Sequence, residues 1–284
     1  MPRVSVIIPC FNDGTYIDEA VDSVLAQTYQ DFEIIIVNDG STDPRTNDIL
    51  SNYSRPKTRV IQTTNQGVAR ARNRAIEEAS GEFILPLDAD DRIKETYLEK
   101  AVKELNTDGN IGIVYCLAEF FGEETGTWQL PDFSLEGILL GNLIFCSALF
   151  RRADWLQVGG YNPNMRYGFE DWDLWLSIIE LNREVFRIPE ILFSYRIKTV
   201  SRTTRMTEDL MLDMRVQLFN NHRQLYLDNI RSLFKPIVGN DLVLQNFEKL
   251  YYEAKKSYYG VLNSRTWRLT KPVRSLASIF RSKH

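Results

Sequence analysis

The sequence predicts an α/β protein with a mostly parallel sheet flanked by helices and a helical carboxyl-terminal appendage. Three observations predict it. Short apolar runs rich in Val and Ile alternate with amphipathic helical patterns over the first hundred residues. Three of those runs stop abruptly at polar turn residues. Residues 4–8 meet Pro9-Cys10-Phe11-Asn12-Asp13, residues 33–37 meet Asn38-Asp39-Gly40-Ser41, and residues 83–87 meet Asp88-Ala89-Asp90-Asp91. Such runs read as buried parallel strands opening into loops. Past about Thr204 the pattern becomes helical.

The elements follow in order. The first strand leads to a helix over 16–27, where Ile17, Ala20, Val21, Val24 and Leu25 share one face. The second leads to Ser41-Thr42-Asp43-Pro44, a helix-start signal, and a helix to about Tyr53. A strand over 59–62 runs through Asn65-Gln66-Gly67 into a helix over 68–79, ended by Gly81, and the fourth strand ends at Leu87. Repeated strand–helix units of this kind build a parallel half-sheet. The pattern then changes. Residues 111–120 and 127–130 flank Gly122-Glu123-Glu124-Thr125-Gly126, a hairpin signal. Residues 145–150 read as a strand, Gly159-Gly160-Tyr161-Asn162 as a loop, 169–181 as a helix and 191–197 as a late strand. Leu210, Met214, Val216, Leu218 and Leu225, then residues 247–261, carry the helical signal. The expected plan is one α/β domain over 1–205 and a helical region over 206–284 with a basic amphipathic tail.

Composition narrows the function classes. Cys10, Cys116 and Cys146 are far apart and form no C-x-x-C pair, so neither a disulfide framework nor a zinc site is indicated. They read as reduced thiols of a cytosolic protein. The two histidines, His222 and His284, leave the first 200 residues without a His-based metal site or a Ser-His-Asp triad. Met1-Pro2-Arg3-Val4 enters a strand without the apolar core of a signal peptide, and no apolar stretch is long enough to span a bilayer. From Ala254 to His284 there is no Asp or Glu, while Lys255, Lys256, Arg265, Arg268, Lys271, Arg274, Arg281 and Lys283 fall there. Trp267, Leu269, Val273, Leu276, Ile279 and Phe280 interleave with those charges, a pattern suited to an anionic bilayer surface. Nucleic acid is excluded as a partner, because the body is acidic and no binding motif occurs. No G-x-G-x-x-G follows the first strand, which argues against a dinucleotide dehydrogenase.

Carboxylates mark the candidate site. Asp88, Asp90 and Asp91 repel one another and favour a cation, and their oxygens suit Mg²⁺ or Mn²⁺, which bridge to phosphates. In open α/β sheets ligands bind at the carboxyl ends of the strands, where these residues fall. Glu170-Asp171 opens a helix, where the macrodipole favours ionised carboxylates.

Read as a set, the motifs resemble the family 2 glycosyltransferases. The matching segments are Val6-Ile7-Ile8-Pro9-Cys10-Phe11-Asn12, Val37 to Asp43, Asn65-Gln66-Gly67 with Ala71-Arg72-Asn73, Leu87 to Asp91, and Gly168-Phe169-Glu170-Asp171-Trp172-Asp173. They come in the family's order and cover roughly residues 3–200. The resemblance implies a GT-A (Rossmann-like) fold, a nucleotide-sugar donor of the UDP-sugar kind, a divalent metal and inversion at the anomeric carbon. It implies that Asp90 holds the metal with Asp88 assisting, that Asp39 reads the base, and that Pro9 and Asn12 lie beside the nucleotide. It implies that Arg72 contacts the donor or the carboxylates, that Asp171 is the general base, and that Glu170 binds acceptor hydroxyls. Trp172 and Trp175 offer rings for sugar stacking, whereas Arg70 and Arg74 share a solvated helix face. Many relatives carry a His two residues after the Tyr-Arg pair of the late strand. Here Tyr195-Arg196-Ile197-Lys198 places Lys198 there, an ammonium that cannot ligate a metal but can pair with a diphosphate oxygen. Arg202 or Arg205 can assist it. The Gln-x-x-Arg-Trp motif of processive members is absent, which favours single additions.

The expected protein is a cytoplasmic enzyme, peripheral on the inner face of the membrane, that extends a glycan or lipid-linked acceptor of bacterial surface polysaccharide. Two alternatives remain open at this point. One is a metal-dependent sugar nucleotidyltransferase, although no basic Gly-rich loop follows the first strand. The other is a non-catalytic subunit that keeps the fold.

Overall fold

The computed structural model describes residues 2–199 and 206–235, together with 249, 251–252, 255–256 and 259–260. The chain divides into two compact units, Met1–Asp228 and Asn229–His284. The first unit runs past residue 205. The basic tail over 263–284, Arg202 and Arg205 lie outside the described residues.

The first half is built as its alternating pattern predicts. Strand β1 (Val4–Cys10) is followed by helix α1 (Ile17–Leu25), β2 (Phe32–Asp39), α2 (Pro44–Ser51), β3 (Thr58–Thr63), α3 (Val68–Glu77) and β4 (Phe83–Pro86). The four strands pair in parallel in the order β3-β2-β1-β4. Val6, Ile7, Ile8, Ile34, Ile35 and Ile36 are fully buried, as central strands covered on both faces require. Asp43 caps α2 by accepting from the backbone N–H groups of Arg45 and Thr46, and Pro44 fills the first helical position.

The second half extends the same sheet with mixed pairing. It contains β5 (Arg92–Ile93), α4 (Tyr97–Thr107), β6 (Ile111–Gly122), β7 (Gly126–Trp128), α5 (Leu135–Leu140), β8 (Leu149–Arg151), α6 (Arg152–Val158), α7 (Glu170–Glu180) and β9 (Glu184–Ile197). The full order is β3-β2-β1-β4-β8-β6-β9-β5, with β7 paired to β6. β8 is antiparallel to both β4 and β6, so it joins the two halves. The late strand is twice the length expected, because β9 pairs in parallel along the whole of β6. Two irregularities in that ladder, around Cys116 and Leu117, break the alternation that a sequence reading relies on. The strand expected over 145–150 is confined to Leu149–Arg151.

Helices α8 (Glu208–Asn221) and α9 (Arg223–Asp228) complete this unit. His222, just past α8, is 3% exposed and lies between α7 carboxylates, with Nδ1 3.1 Å from Glu180 Oε2 and Nε2 3.2 Å from Asp173 Oδ1. Burial opposes its charge, but the bonds to Asp173 and Glu180 win and push its pKa up to about 9. A folded pKa above the unfolded value near 6.5 gives stability that is complete below pH 6.5 and lost as pH rises through 9. His222→Gln is therefore expected to destabilise the protein at pH 6 by on the order of 3 kcal/mol, and much less at pH 10. Thermal melts of both proteins across that range test this. A gap that does not change with pH would remove the charge from the explanation.

The second unit contains α10 (Ile230–Phe234), with Leu233 buried. Among the described residues no helix is long and apolar enough to cross a membrane.

Candidate active site

A cavity of about 490 Å³ opens at the carboxyl ends of β1 and β2. Pro9, Asp39, Asp88, Asp90, Asp171 and Lys198 all line it, so most of the expected residues meet in one place. The parallel register explains half of this. Cys10 lies opposite Asn38 and Asp39 opposite Thr63, so neighbouring strands end at the same level. Gly40 then turns the chain at φ +62°, and a Cβ there would come within 2.3 Å of the Asn65 backbone nitrogen.

Asp39 is 4% exposed. Its Oδ1 accepts from Gln66 N and its Oδ2 from Gly67 N, both at 2.9 Å. The carboxylate thus fixes the Asn65-Gln66-Gly67 turn that starts α3. Oδ1 also accepts from Thr63 Oγ1 at 3.5 Å, while Oδ2 retains a second lone pair for a ligand N–H. Asn12 is used differently from expectation. Its Oδ1 accepts from Thr42 N and Asp43 N at 2.8 Å, and its Nδ2 donates to Thr42 Oγ1. Asn12 braces the two loops beside the cavity and is not among the residues lining it.

Of the two partners expected for Arg72, donor or carboxylates, the structure shows the carboxylates. It is fully buried. Nη2 donates to Asp88 Oδ1 at 2.7 Å and Nη1 to Glu170 Oε1 at 2.8 Å. Its neighbour Asn73 ties down the loop before α7, accepting from Tyr161 N and Trp155 Nε1 and donating to Tyr161 O. Glu170, expected at acceptor hydroxyls, is 1% exposed, and its Oε1 pairs with Arg72. Trp172 and Trp175 are removed from any stacking role. They are 1% and 0% exposed, and their indole N–H groups donate to Ile138 O and Ile144 O. Helical spacing placed their rings in the core. The aromatic rings at the cavity come from elsewhere: Trp128 on β7 and Tyr195 on β9, 5.3 Å apart, with Phe145 beside Trp128.

Asp171 is half-buried on the cavity wall. Phe169, just before it, adopts a left-handed backbone at φ +63°, rare for a bulky side chain and frequent where a site imposes strain. Asp171 Oδ1 accepts from Trp172 N at 2.7 Å, and Oδ2 accepts from Asn142 Nδ2 at 3.2 Å. Asn142 gave no signal in the sequence, since it stands alone after Gly141 in a loop.

The acidic loop is clamped from β9. Arg196 N donates to Asp91 Oδ1, and Arg196 Nε donates to the Asp90 carbonyl, both at 2.8 Å. Lys198, just past the end of β9, reaches the same loop. Its Nζ lies 2.7 Å from Asp90 Oδ2 and 2.8 Å from Asp13 Oδ1. The implied Mn²⁺ or Mg²⁺ was expected on Asp90 and Asp88. In this structure the cation against Asp90 is the Lys198 ammonium, and Asp88 pairs with Arg72. Asp88, Asp91 and Cys146 each bring one ligand atom within 4.8 Å of the others. Asp91 is 1% exposed, and its Oδ2 has no hydrogen-bond partner. Burial pushes the Cys146 thiol well up, with the Asp88 charge adding to it, so the sulfur stays protonated and is a poor ligand for a hard cation. An orphaned buried oxygen and a stand-in ammonium mark a loop arranged around positive charge. Its oxygen donors fit a hard divalent ion.

Residues 5–172 match the model of glycosyl transferase family 2, and the chain belongs to that family. Its fold is of the GT-A type. An uncharacterised glycosyltransferase of Rickettsia typhi is 32% identical over 221 residues, covering 74% of this chain and 68% of that protein. The chondroitin synthase of Pasteurella multocida is 31% identical over 188 residues, which are 64% of this chain but 19% of the synthase. The chain therefore spans about a fifth of that longer relative. Among solved structures, S. aureus TarS 1-349 in complex with UDP-GlcNAc superposes with a TM-score of 0.62 at 20% identity, covering 77% of this chain and 66% of that one.

Proposed function

We propose that this chain transfers a sugar, with inversion, from a UDP-sugar to a hydroxyl of a glycan or lipid-linked glycan in bacterial surface polysaccharide synthesis. One observation carries the reading. A single cavity is lined by Asp39, Asp88, Asp90 and Asp171. The solved relative that holds UDP-GlcNAc supports a uridine donor.

The chain's own residues divide the work. Asp39 accepts a hydrogen bond from the base while holding the turn before α3. Asp171 takes the proton of the acceptor hydroxyl as that oxygen attacks the anomeric carbon. The bond to the diphosphate breaks on the opposite face, and the diphosphate leaves with the electron pair. Asn142 orients Asp171 through its 3.2 Å hydrogen bond. Trp128 and Tyr195 offer apolar faces to a sugar ring. Mn²⁺ or Mg²⁺, held by Asp90 with Asp88, would supply positive charge to the leaving diphosphate. The acid-free tail over 263–284 is proposed to bring the enzyme to an anionic membrane surface, where lipid-linked acceptors lie.

The test is a melting-temperature screen of UDP, GDP and dTDP with Mn²⁺, followed by hydrolysis assays on UDP-sugars. UDP should raise the melting temperature in proportion to the logarithm of its concentration above Kd. Slow release of UDP from one UDP-sugar should follow. If no nucleoside diphosphate stabilises the protein, the reading fails. If UDP binds but no sugar is ever released or transferred, the chain is a binding subunit.

A further inference from the structure

We propose that Lys198 is a resident cation that competes with the divalent ion for Asp90, so that metal binds tightly only together with the diphosphate. The inference rests on the donor reading above and adds an order of binding to it. The ammonium touches both Asp13 Oδ1, at 2.8 Å, and Asp90 Oδ2, at 2.7 Å. Its side chain is 17% exposed and that of Asp90 is 18% exposed, so the pair is only weakly screened by water. The Tyr16 ring, 5.1 Å from Nζ, and Arg196, which holds the Asp90 carbonyl, keep both partners in place.

A divalent ion approaching alone meets this ammonium. It must displace a paired cation from Asp90 while leaving that cation beside it, and like charges at such range repel. A diphosphate changes the balance. It offers Lys198 a new anionic partner within the same cavity, since Lys198 and the acidic loop line one space. Lys198 then moves from Asp90 to a phosphate oxygen, and Asp90 becomes available to the metal. The lysine is thus a positioning residue. It keeps Asp90 neutralised in the empty enzyme and turns to the donor when the donor arrives. Binding of metal and of diphosphate is then mutually favourable, as linkage requires.

Titration calorimetry of the full chain with Mn²⁺ alone, and with Mn²⁺ at saturating UDP, measures this coupling. In the native protein UDP should strengthen Mn²⁺ binding about tenfold or more, within the usual range for coupled sites. Lys198→Met should bind Mn²⁺ alone more tightly than the native protein does. It should also bind UDP more weakly at saturating Mn²⁺. Lys198→Arg keeps the charge and should keep Mn²⁺ binding weak in the absence of UDP. Circular dichroism melts confirm that each variant is folded. If Lys198→Met binds Mn²⁺ alone no better than the native protein, the competition does not exist. If no protein binds UDP, the donor reading falls, but the comparison with Mn²⁺ alone still decides the role of Lys198.

Discussion

Asp171→Asn is expected to lower sugar transfer about 10²–10⁴-fold, the cost of losing a positioned base. The substitution keeps the size and most of the hydrogen bonding of the side chain. Its Oδ1 can still accept from Trp172 N, and the cavity keeps its shape. What disappears is the second site able to take a proton. The acceptor oxygen must then attack while still protonated, which raises the barrier of the chemical step. UDP affinity should be unchanged, because the nucleotide end is built from Asp39, Asp88 and Asp90. The check is single-turnover transfer from a UDP-sugar beside calorimetric UDP binding. Near-native turnover in the variant, or loss of UDP binding, would remove Asp171 from the role of base. Asn142→Ala provides a graded control, since it leaves the base in place but frees its orientation.

Much of this site was legible because it lies where strands end. β-branched runs that stop at Asp39 and Asp88 announce both the strand and the ligand end of the sheet. Helix spacing, by contrast, carried two opposite messages. Trp172 and Trp175 follow a carboxylate pair, which invites a sugar-binding reading. Their place on the inner face of α7 buries them instead. Glu170 is on the same buried side, and its pairing with Arg72 explains a charge there. That partner is 98 residues away in the chain, so no local pattern discloses it. Lys198 and Asp13 are separated by 185 residues, and their contact depends on the whole sheet being assembled. Helix α4 is a structural finding beyond the expected elements: Leu98, Ala101, Val102 and Leu105 recur at helical spacing and are buried. β9 starts at Glu184, ahead of the expected 191, and Pro189 and the irregular ladder beside Cys116 interrupt the alternation that would signal it.

Arg72→Met is expected to be the most destabilising single change, by about 3–5 kcal/mol, as for other broken buried ion pairs. The reason is the geometry of its two partners. Glu170 is almost wholly buried, and Asp88 is partly so, and one guanidinium holds both. A methionine fills most of the volume but leaves the Glu170 charge in an apolar setting, where it must protonate or draw in water. For a domain of this size the melting temperature should fall by about 2–4 °C per kcal/mol. Arg72→Lys should recover little, because an ammonium cannot fork between Asp88 and Glu170 as a planar guanidinium does. Arg72→Met combined with Glu170→Leu should recover a large part of the loss, since the stranded charge is then gone. A single variant that melts like the native protein would show that the pair contributes nothing net. The double variant has a second use. Arg72 links the loop that carries Asp88 and Asp90 to the helix that carries Asp171, so the proposed donor and acceptor ends share one brace. If stability returns in the double variant while transfer stays low with UDP binding intact, the arginine is needed to align the two ends as well as to neutralise charge.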